Sequence, residues 1–291
     1  MVEAVLPIGL VVLDIDGTLV GEDLVLRERT KAAVAATLSR GIHVAIATGR
    51  MASSALRFAD ALGLSDPLIA YQGALIRAMP GASPGALAGT SLRRARRGLG
   101  KLLVHTPMAA DVAREVVAWS SARGLDPHIN HLERFILRED DQNADDYSSF
   151  MGARAELVPD LVAWIERPVT KVLAVGDEAT IAAALPEARA RFAGRASATI
   201  SHPRFIEFLA PGVSKGRGVS WLARRLGVPL ERTMAIGDQV NDLEMIALVG
   251  HGVAMAEAPG AVRAVARHVA PSVADEGVAT ILETLVLRGP G

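Results

Sequence analysis

Residues 8–13 form a short continuous apolar run of the kind expected for a strand covered on both faces of a parallel sheet. It ends abruptly at Asp14, Asp16 and Gly17. Apolar positions at helical spacing over residues 26–40 then lead through Gly41 to a second apolar run at 43–47, which predicts a β-α-β unit. Thr48-Gly49-Arg50 opens a further helix to about residue 62, and 67–71 reads as a third strand. A segment rich in Pro, Gly, Ser and Ala at 79–89 marks a connection between domains. Beyond it the order strand (101–105), helix (109–123), two strands (128–132, 134–138) is followed by strand (171–175), helix (178–192), two strands (196–201, 205–210). That order predicts an inserted unit of two β-α-β-β halves. After Pro211-Gly212 the alternation resumes with a helix at 216–226, a strand at 233–236, a helix at 242–249 and a strand at 252–255. The expected architecture is a doubly wound, Rossmann-like parallel α/β core from residues 1–79 and 211–291, with an α/β cap domain inserted as residues 80–210.

A chain of 291 residues, half of them hydrophobic, suffices for two such cores. The formal net charge of -1 gives no reason to expect nucleic acid or an anionic membrane as partner, although a small anion needs only local positive charge. No cysteine occurs, which excludes disulfides, thiolate metal sites and a cysteine nucleophile, and fits a reducing compartment, the cytoplasm by default. The apolar start at 5–12 lacks a basic leader and a small-residue cleavage site, and no run reaches about 18 apolar residues, so neither a signal peptide nor a membrane span is expected.

The chemistry lies where predicted strands end. Ligands of open α/β sheets bind at the carboxyl ends of the strands, and Leu13-Asp14-Ile15-Asp16-Gly17-Thr18-Leu19 puts two carboxylates there. One is placed to attack phosphorus and the other, two residues on, to handle the leaving oxygen's proton. An EF-hand reading fails, because the twelfth position from Asp14 is Val25 and the motif follows a strand. Thr48 and Gly49 offer a hydroxyl and backbone N–H groups for an anion, although Thr48 taken alone reads as a helix N-cap. Lys215 can neutralise both a phosphoryl oxygen and Asp14. In Ile236-Gly237-Asp238-Gln239-Val240-Asn241-Asp242, Asp238 is a hard oxygen ligand for Mg²⁺, with Asn241 or Asp242 holding the ligands in place.

In this order the residues resemble the haloacid dehalogenase superfamily, and within it the Cof-type phosphatases that carry a large α/β cap. Asp14 and Asp16 match the first motif, Thr48 the second, Lys215 the third, and Asp238, Asn241 and Asp242 the fourth. The string Asp275 to Ala279 is similar to the family's C-terminal segment. The resemblance implies a Mg²⁺-dependent phosphatase of small phosphorylated metabolites such as phosphosugars, acting through an aspartyl-phosphate on Asp14, with Asp16 as acid and then base. It also implies metal ligation by the Asp14 carboxylate, the Asp16 backbone carbonyl and Asp238, and phosphoryl binding by Thr48, Gly49, Lys215 and Asn241. A phosphomutase on the same core, or an inactive phospho-ligand-binding protein, are the alternatives. Oligomeric state stays open between monomer and homodimer.

Two departures stand out: Tyr71-Gln72-Gly73 replaces an Asn-Gly pair, and Gln239 replaces the usual Asn. His128 and His131, three apart on a strand, are expected on opposite faces, as cap residues toward the substrate rather than as a metal pair. The basic run Arg93 to Arg97 reads as a solvated loop or edge. The glycines at 212, 216 and 218 do not form a dinucleotide fingerprint.

Overall fold

The computed structural model describes residues 7–81, 98–151 and 153–288. Most of the 79–89 connection and the whole basic run at 93–97 lie outside these. The first strand, β1 (Leu10–Leu13), has every residue buried, as a continuous apolar run in a two-sided sheet must. Helix α1 (Glu28–Ser39) returns the chain to β2 (His43–Ile46), and α2 (Ala52–Ala61) leads to β3 (Leu68–Ala70). β3 touches the main sheet through one parallel bridge, Ala47 to Ile69, and then turns back on β4 (Leu75–Arg77) and β5 (Leu102–His105) as a three-stranded antiparallel sheet. Residues 101–105, expected to open the inserted unit, thus pair with β4. The pairing is antiparallel, with Leu75 beside His105 and Ile76 beside Val104.

A second sheet follows. Helix α3 (Ala110–Ser121), strands β6 (Asp126–His131) and β7 (Arg134–Arg138), helix α4 (Ala144–Met151), strand β8 (Ala155–Val158) and helix α5 (Leu161–Trp164) precede β9 (Lys171–Val175), α6 (Glu178–Arg191), β10 (Ser197–His202) and β11 (Phe205–Leu209). Six strands join in the order β10-β11-β9-β6-β7-β8. One face packs on α3 and α6 around Val116, Trp119, Phe192 and Phe208, while Phe135, Leu137 and Leu209 on the other belong to the cluster of the first sheet.

Helix α7 (Lys215–Leu226) then re-enters the parallel layer, followed by β12 (Thr233–Gly237), α8 (Leu243–Leu248), β13 (His251–Met255), α9 (Gly260–Val265), β14 (His268–Ala270) and α10 (Gly277–Ile281). The parallel sheet runs β14-β13-β12-β1-β2, a doubly wound α/β core carrying a capping sheet. In register, Leu13 lies beside Ile236 and Ile46, so β12, β1 and β2 end side by side. Asp238, Asp14 and Thr48 stand at those three ends. No helix among the described residues is long and apolar enough to cross a membrane.

Candidate active site

The turn after β1 buries Asp14 and leaves Asp16 half-exposed. Gly17 makes this possible, because it sits at φ +74° and a Cβ there would strike the Asp238 carboxylate. On the facing side, Ser214 caps α7 by accepting from the Arg217 N–H at 3.1 Å, which places Lys215 in the first helical turn pointing inward. Its Nζ lies 2.6 Å from Asp14 Oδ1 and 2.6 Å from Asp242 Oδ1, with the side chain fully buried. Burial alone would lower the lysine's pKa, but the charges and hydrogen bonds of Asp14 and Asp242 raise it above the ordinary value.

Asp242 spends its other oxygen on structure: Oδ2 accepts from the N–H groups of Asp238 and Gln239, each at 3.0 Å, closing a capping box at the turn before α8. Asp238 accepts from the Thr18 hydroxyl at 3.1 Å. Its carboxyl is pushed up to about 7, first by burial and then by the nearby Asp242 charge. Asp14 is likewise held well above the carboxylate range, mainly by burial, with Lys215 pulling it down and Asp242, Asp238 and Asp16 pushing it up. Oxygens of Asp14, Asp238 and Asp242 lie within 4.8 Å of one another against the single charge of Lys215. Hard oxygen donors short of positive charge suit a divalent cation such as Mg²⁺, and since both Asp242 oxygens are engaged, Asp14 and Asp238 are the pair fitted to hold it.

Thr48 is buried, and its Oγ1 accepts from the Arg50 N–H at 3.1 Å. It does not cap α2, whose N-cap position is Met51; the chain makes a further turn through Gly49 and Arg50 before the helix begins at Ala52. Asp14, Asp16, Gly49, Asp238 and Asn241 line a cleft of about 580 Å³, while Thr48, Lys215 and Asp242 do not appear on its surface. Neither His128 nor His131 lines it. His131 instead packs near the His105 ring, and His128 against Tyr147.

Several contributors escaped the sequence reading. Arg50, next to the recognised Thr48-Gly49 pair, grips Asp16. Gln72, at φ 57°, is buried; its Oε1 accepts from Asn241 Nδ2 at 3.0 Å and its Nε2 donates to Glu207 Oε1 at 3.2 Å. The departure from an Asn-Gly pair therefore carries a contact between the parallel core and the capping sheet. That sheet adds Lys171, whose Nζ reaches Glu207 Oε2 at 3.0 Å and the Gly49 carbonyl at 3.1 Å. A lysine opening the apolar strand 171–175 and a glutamate within 205–209 were the available signal, since charges in buried strands are normally paired.

Fold and site together define an α/β enzyme in which a capping sheet overhangs an acidic cleft at the strand ends. The chain matches the haloacid dehalogenase-like hydrolases over residues 11–83 and 97–282 and belongs to that family, in its Cof type; it is an enzyme of the phosphoric monoester hydrolase class. Among its relatives, 5-amino-6-(5-phospho-D-ribitylamino)uracil phosphatase YitU of Bacillus subtilis is 27% identical over 282 residues, 94% of this chain and 96% of that protein. HMP-PP phosphatase of Cronobacter sakazakii is 28% identical over 247 residues, 84% of this chain and 83% of that protein. The crystal structure of a haloacid dehalogenase-like hydrolase from Bacteroides thetaiotaomicron superposes with a TM-score of 0.77 at 23% identity, over 95% of this chain and 98% of that one.

Proposed function

We propose that this hydrolase is a Mg²⁺-dependent phosphatase of small phosphorylated metabolites, phosphosugar-like compounds among them, that works through an aspartyl-phosphate on Asp14. The observation that carries the reading is Lys215 Nζ held 2.6 Å from both Asp14 Oδ1 and Asp242 Oδ1. With Oδ1 engaged by the ammonium, the second Asp14 oxygen is left to attack phosphorus. Thr48 Oγ1 accepts from Arg50 N–H, so its own hydrogen remains for a phosphoryl oxygen. Asn241 keeps one amide hydrogen after donating to Gln72, and the turn at Gly49 adds backbone donors. These fixed groups stabilise charge where it develops.

Asp16 stands at the cleft beside Arg50; once it has taken a proton from solvent and one arm of the fork has opened, it gives that proton to the leaving oxygen as the P–O bond breaks. It then takes one from the water that attacks the aspartyl-phosphate, which frees phosphate and restores Asp14. Asp14 and Asp238 would hold Mg²⁺, with the Asp16 backbone carbonyl as a further ligand by family resemblance; the ion supplies charge that offsets the transferring phosphoryl group. The six-stranded sheet, which lies within the inserted residues 80–210, is in this reading the cap over core segments 1–79 and 211–291, and presents Ser201, His202 and Phe205 to the leaving group. The lack of cysteine suits a reducing compartment, and we place the enzyme in the cytoplasm.

The test is phosphate release from phosphosugars, nucleotides and a chromogenic aryl phosphate, with Mg²⁺ and with chelator, for the wild type beside Asp14→Asn. Release that needs Mg²⁺ and vanishes in the variant is expected. Equal release from Asp14→Asn would remove the aspartyl-phosphate route.

A further inference from the structure

A second constellation of ligating side chains lies in the capping sheet. Asp126 and His128 are two residues apart on β6 and share one face of it, and the turn after β7 brings Asp141 to the same face. His128 Nε2 stands 3.2 Å from Asp126 Oδ2 and 3.6 Å from Asp141 Oδ2. All three ligating atoms lie within 4.8 Å of one another. A tetrahedral ion with bonds of about 2.0–2.2 Å needs its ligand atoms roughly 3.4 Å apart, and the two measured edges bracket that value.

The cluster sets two carboxylates against one imidazole. The Asp141 side chain is 3% exposed, and its Oδ2, aimed at the imidazole, has no hydrogen-bond partner. A buried carboxylate oxygen without a donor is costly. Asp126 and Asp141 also lie close enough to share a hydrogen bond, which needs a proton on one of them, and a bound cation would take that proton's place. Arg138, whose charge acts on Asp126, is itself bound to Asp140 at 2.8 Å. The surroundings also fix the ligands as a metal site requires. Asn143 N–H holds Asp141 Oδ1 at 2.8 Å, which leaves Oδ2 for an ion. The rings of Tyr147, at 4.3 Å, and Phe135, at 5.6 Å, clamp the His128 ring edge-on. Asp126, with 35% of its side chain exposed, is the entry side.

We propose that Asp126, His128 and Asp141 form a binding site for a divalent transition-metal ion of the zinc class, built into the capping sheet and separate from the acidic cluster at Asp14. One nitrogen and two oxygens are a donor set for zinc-like ions, whereas Mg²⁺ favours oxygen alone. The bound ion ties β6 to the turn that leads into α4. His128 is in register with Leu173, which lines the cleft, so the staple braces the cleft-facing side of the cap.

The experiment is calorimetric titration of chelator-stripped protein with ZnCl₂, in an Asp238→Asn background that disables the other cluster. One equivalent of Zn²⁺ is expected, with affinity falling about tenfold or more on adding His128→Gln or Asp141→Asn. No stoichiometric uptake, or uptake that neither substitution weakens, overturns the site. If a substitution unfolds the chain by circular dichroism, wild-type crystals grown with ZnCl₂ decide at the zinc absorption edge. An anomalous peak bonded to His128 Nε2 supports the site, and none there overturns it.

Discussion

Arg50 holds Asp16 by both carboxylate oxygens, its Nε donating to Oδ2 at 2.7 Å and its Nη2 to Oδ1 at 2.5 Å. The guanidinium is largely buried while the carboxylate faces the cleft, so the pair is anchored from the protein side. Such a fork fixes direction as well as charge, which a lysine cannot reproduce. Arg50→Ala is expected to lower kcat/KM by about tenfold to a hundredfold, and Arg50→Lys to recover little of it. Asp16→Asn should cost about a hundredfold or more, as removal of a general acid/base does. Steady-state kinetics on an aryl phosphate measure all three, and a higher kcat in Arg50→Ala would mean that the fork restrains Asp16 rather than positions it.

Asp14 and Asp242 both touch Lys215, but their removal should differ in kind. Asp14→Asn takes away a charge that Asp238 and Asp242 oppose and leaves Lys215 paired with Asp242. Turnover should vanish while stability stays within about 1 kcal/mol of wild type. Asp242→Ala removes the buried ammonium's second partner and orphans the N–H groups of Asp238 and Gln239. It should cost about 3–5 kcal/mol. Urea unfolding separates the two cases.

The parts of this site that the sequence made legible are those set by chain-local physics. A parallel strand buried on both faces must be an unbroken apolar run, so Asp14 after 8–13 and Asp238 after 233–236 announce themselves by ending one. Thr48 and Lys215 entered instead through the order of motifs in which the chain resembles the haloacid dehalogenase family. What stayed hidden depends on partners far along the chain. Arg50 is 34 residues from Asp16, and Glu207 is 135 from Gln72; no local pattern encodes either pairing. Thr48 looked like an N-cap because hydroxyl before helix is a local signal, but tertiary packing inserts Gly49 and Arg50 into a turn and starts the helix at Ala52. Residues 101–105 carried a clear strand pattern, yet pattern alone cannot choose between two sheets.

The raised carboxyl of Asp238 makes stability depend on pH in a definite direction. Its ordinary value is 3.8 and burial, followed by the Asp242 charge, lifts it to about 7. Between these values the folded chain keeps a proton that the unfolded chain has released, so raising the pH through this window lowers stability, each unit of displacement being worth about 1.4 kcal/mol. Chelated protein should therefore melt at lower temperature at pH 8 than at pH 5. Mg²⁺ binds the deprotonated form, so its stabilising shift should grow over the same range. Asp238→Asn should flatten both trends in differential scanning fluorimetry. A Mg²⁺-induced shift unaffected by that substitution would take Asp238 out of the metal site.

Lys171 and Glu207 form an ion pair with each side chain 3% exposed, and each also reaches across to the core: Lys171 to the Gly49 carbonyl, Glu207 to the Gln72 amide. Removing one partner leaves a buried charge uncompensated, so Glu207→Ala and Lys171→Met should each destabilise by about 3–5 kcal/mol. The combined variant has no stranded charge and should be more stable than the sum of the singles predicts, by about 1–3 kcal/mol of coupling. Activity should behave differently. If the pair served only packing, recovered stability would bring recovered kcat/KM. The ties run to the turn that carries Thr48 and to the glutamine that holds Asn241, so the combined variant should regain stability in urea unfolding while its kcat/KM stays depressed. Recovery of both quantities together would reduce the pair to a structural element of the cap.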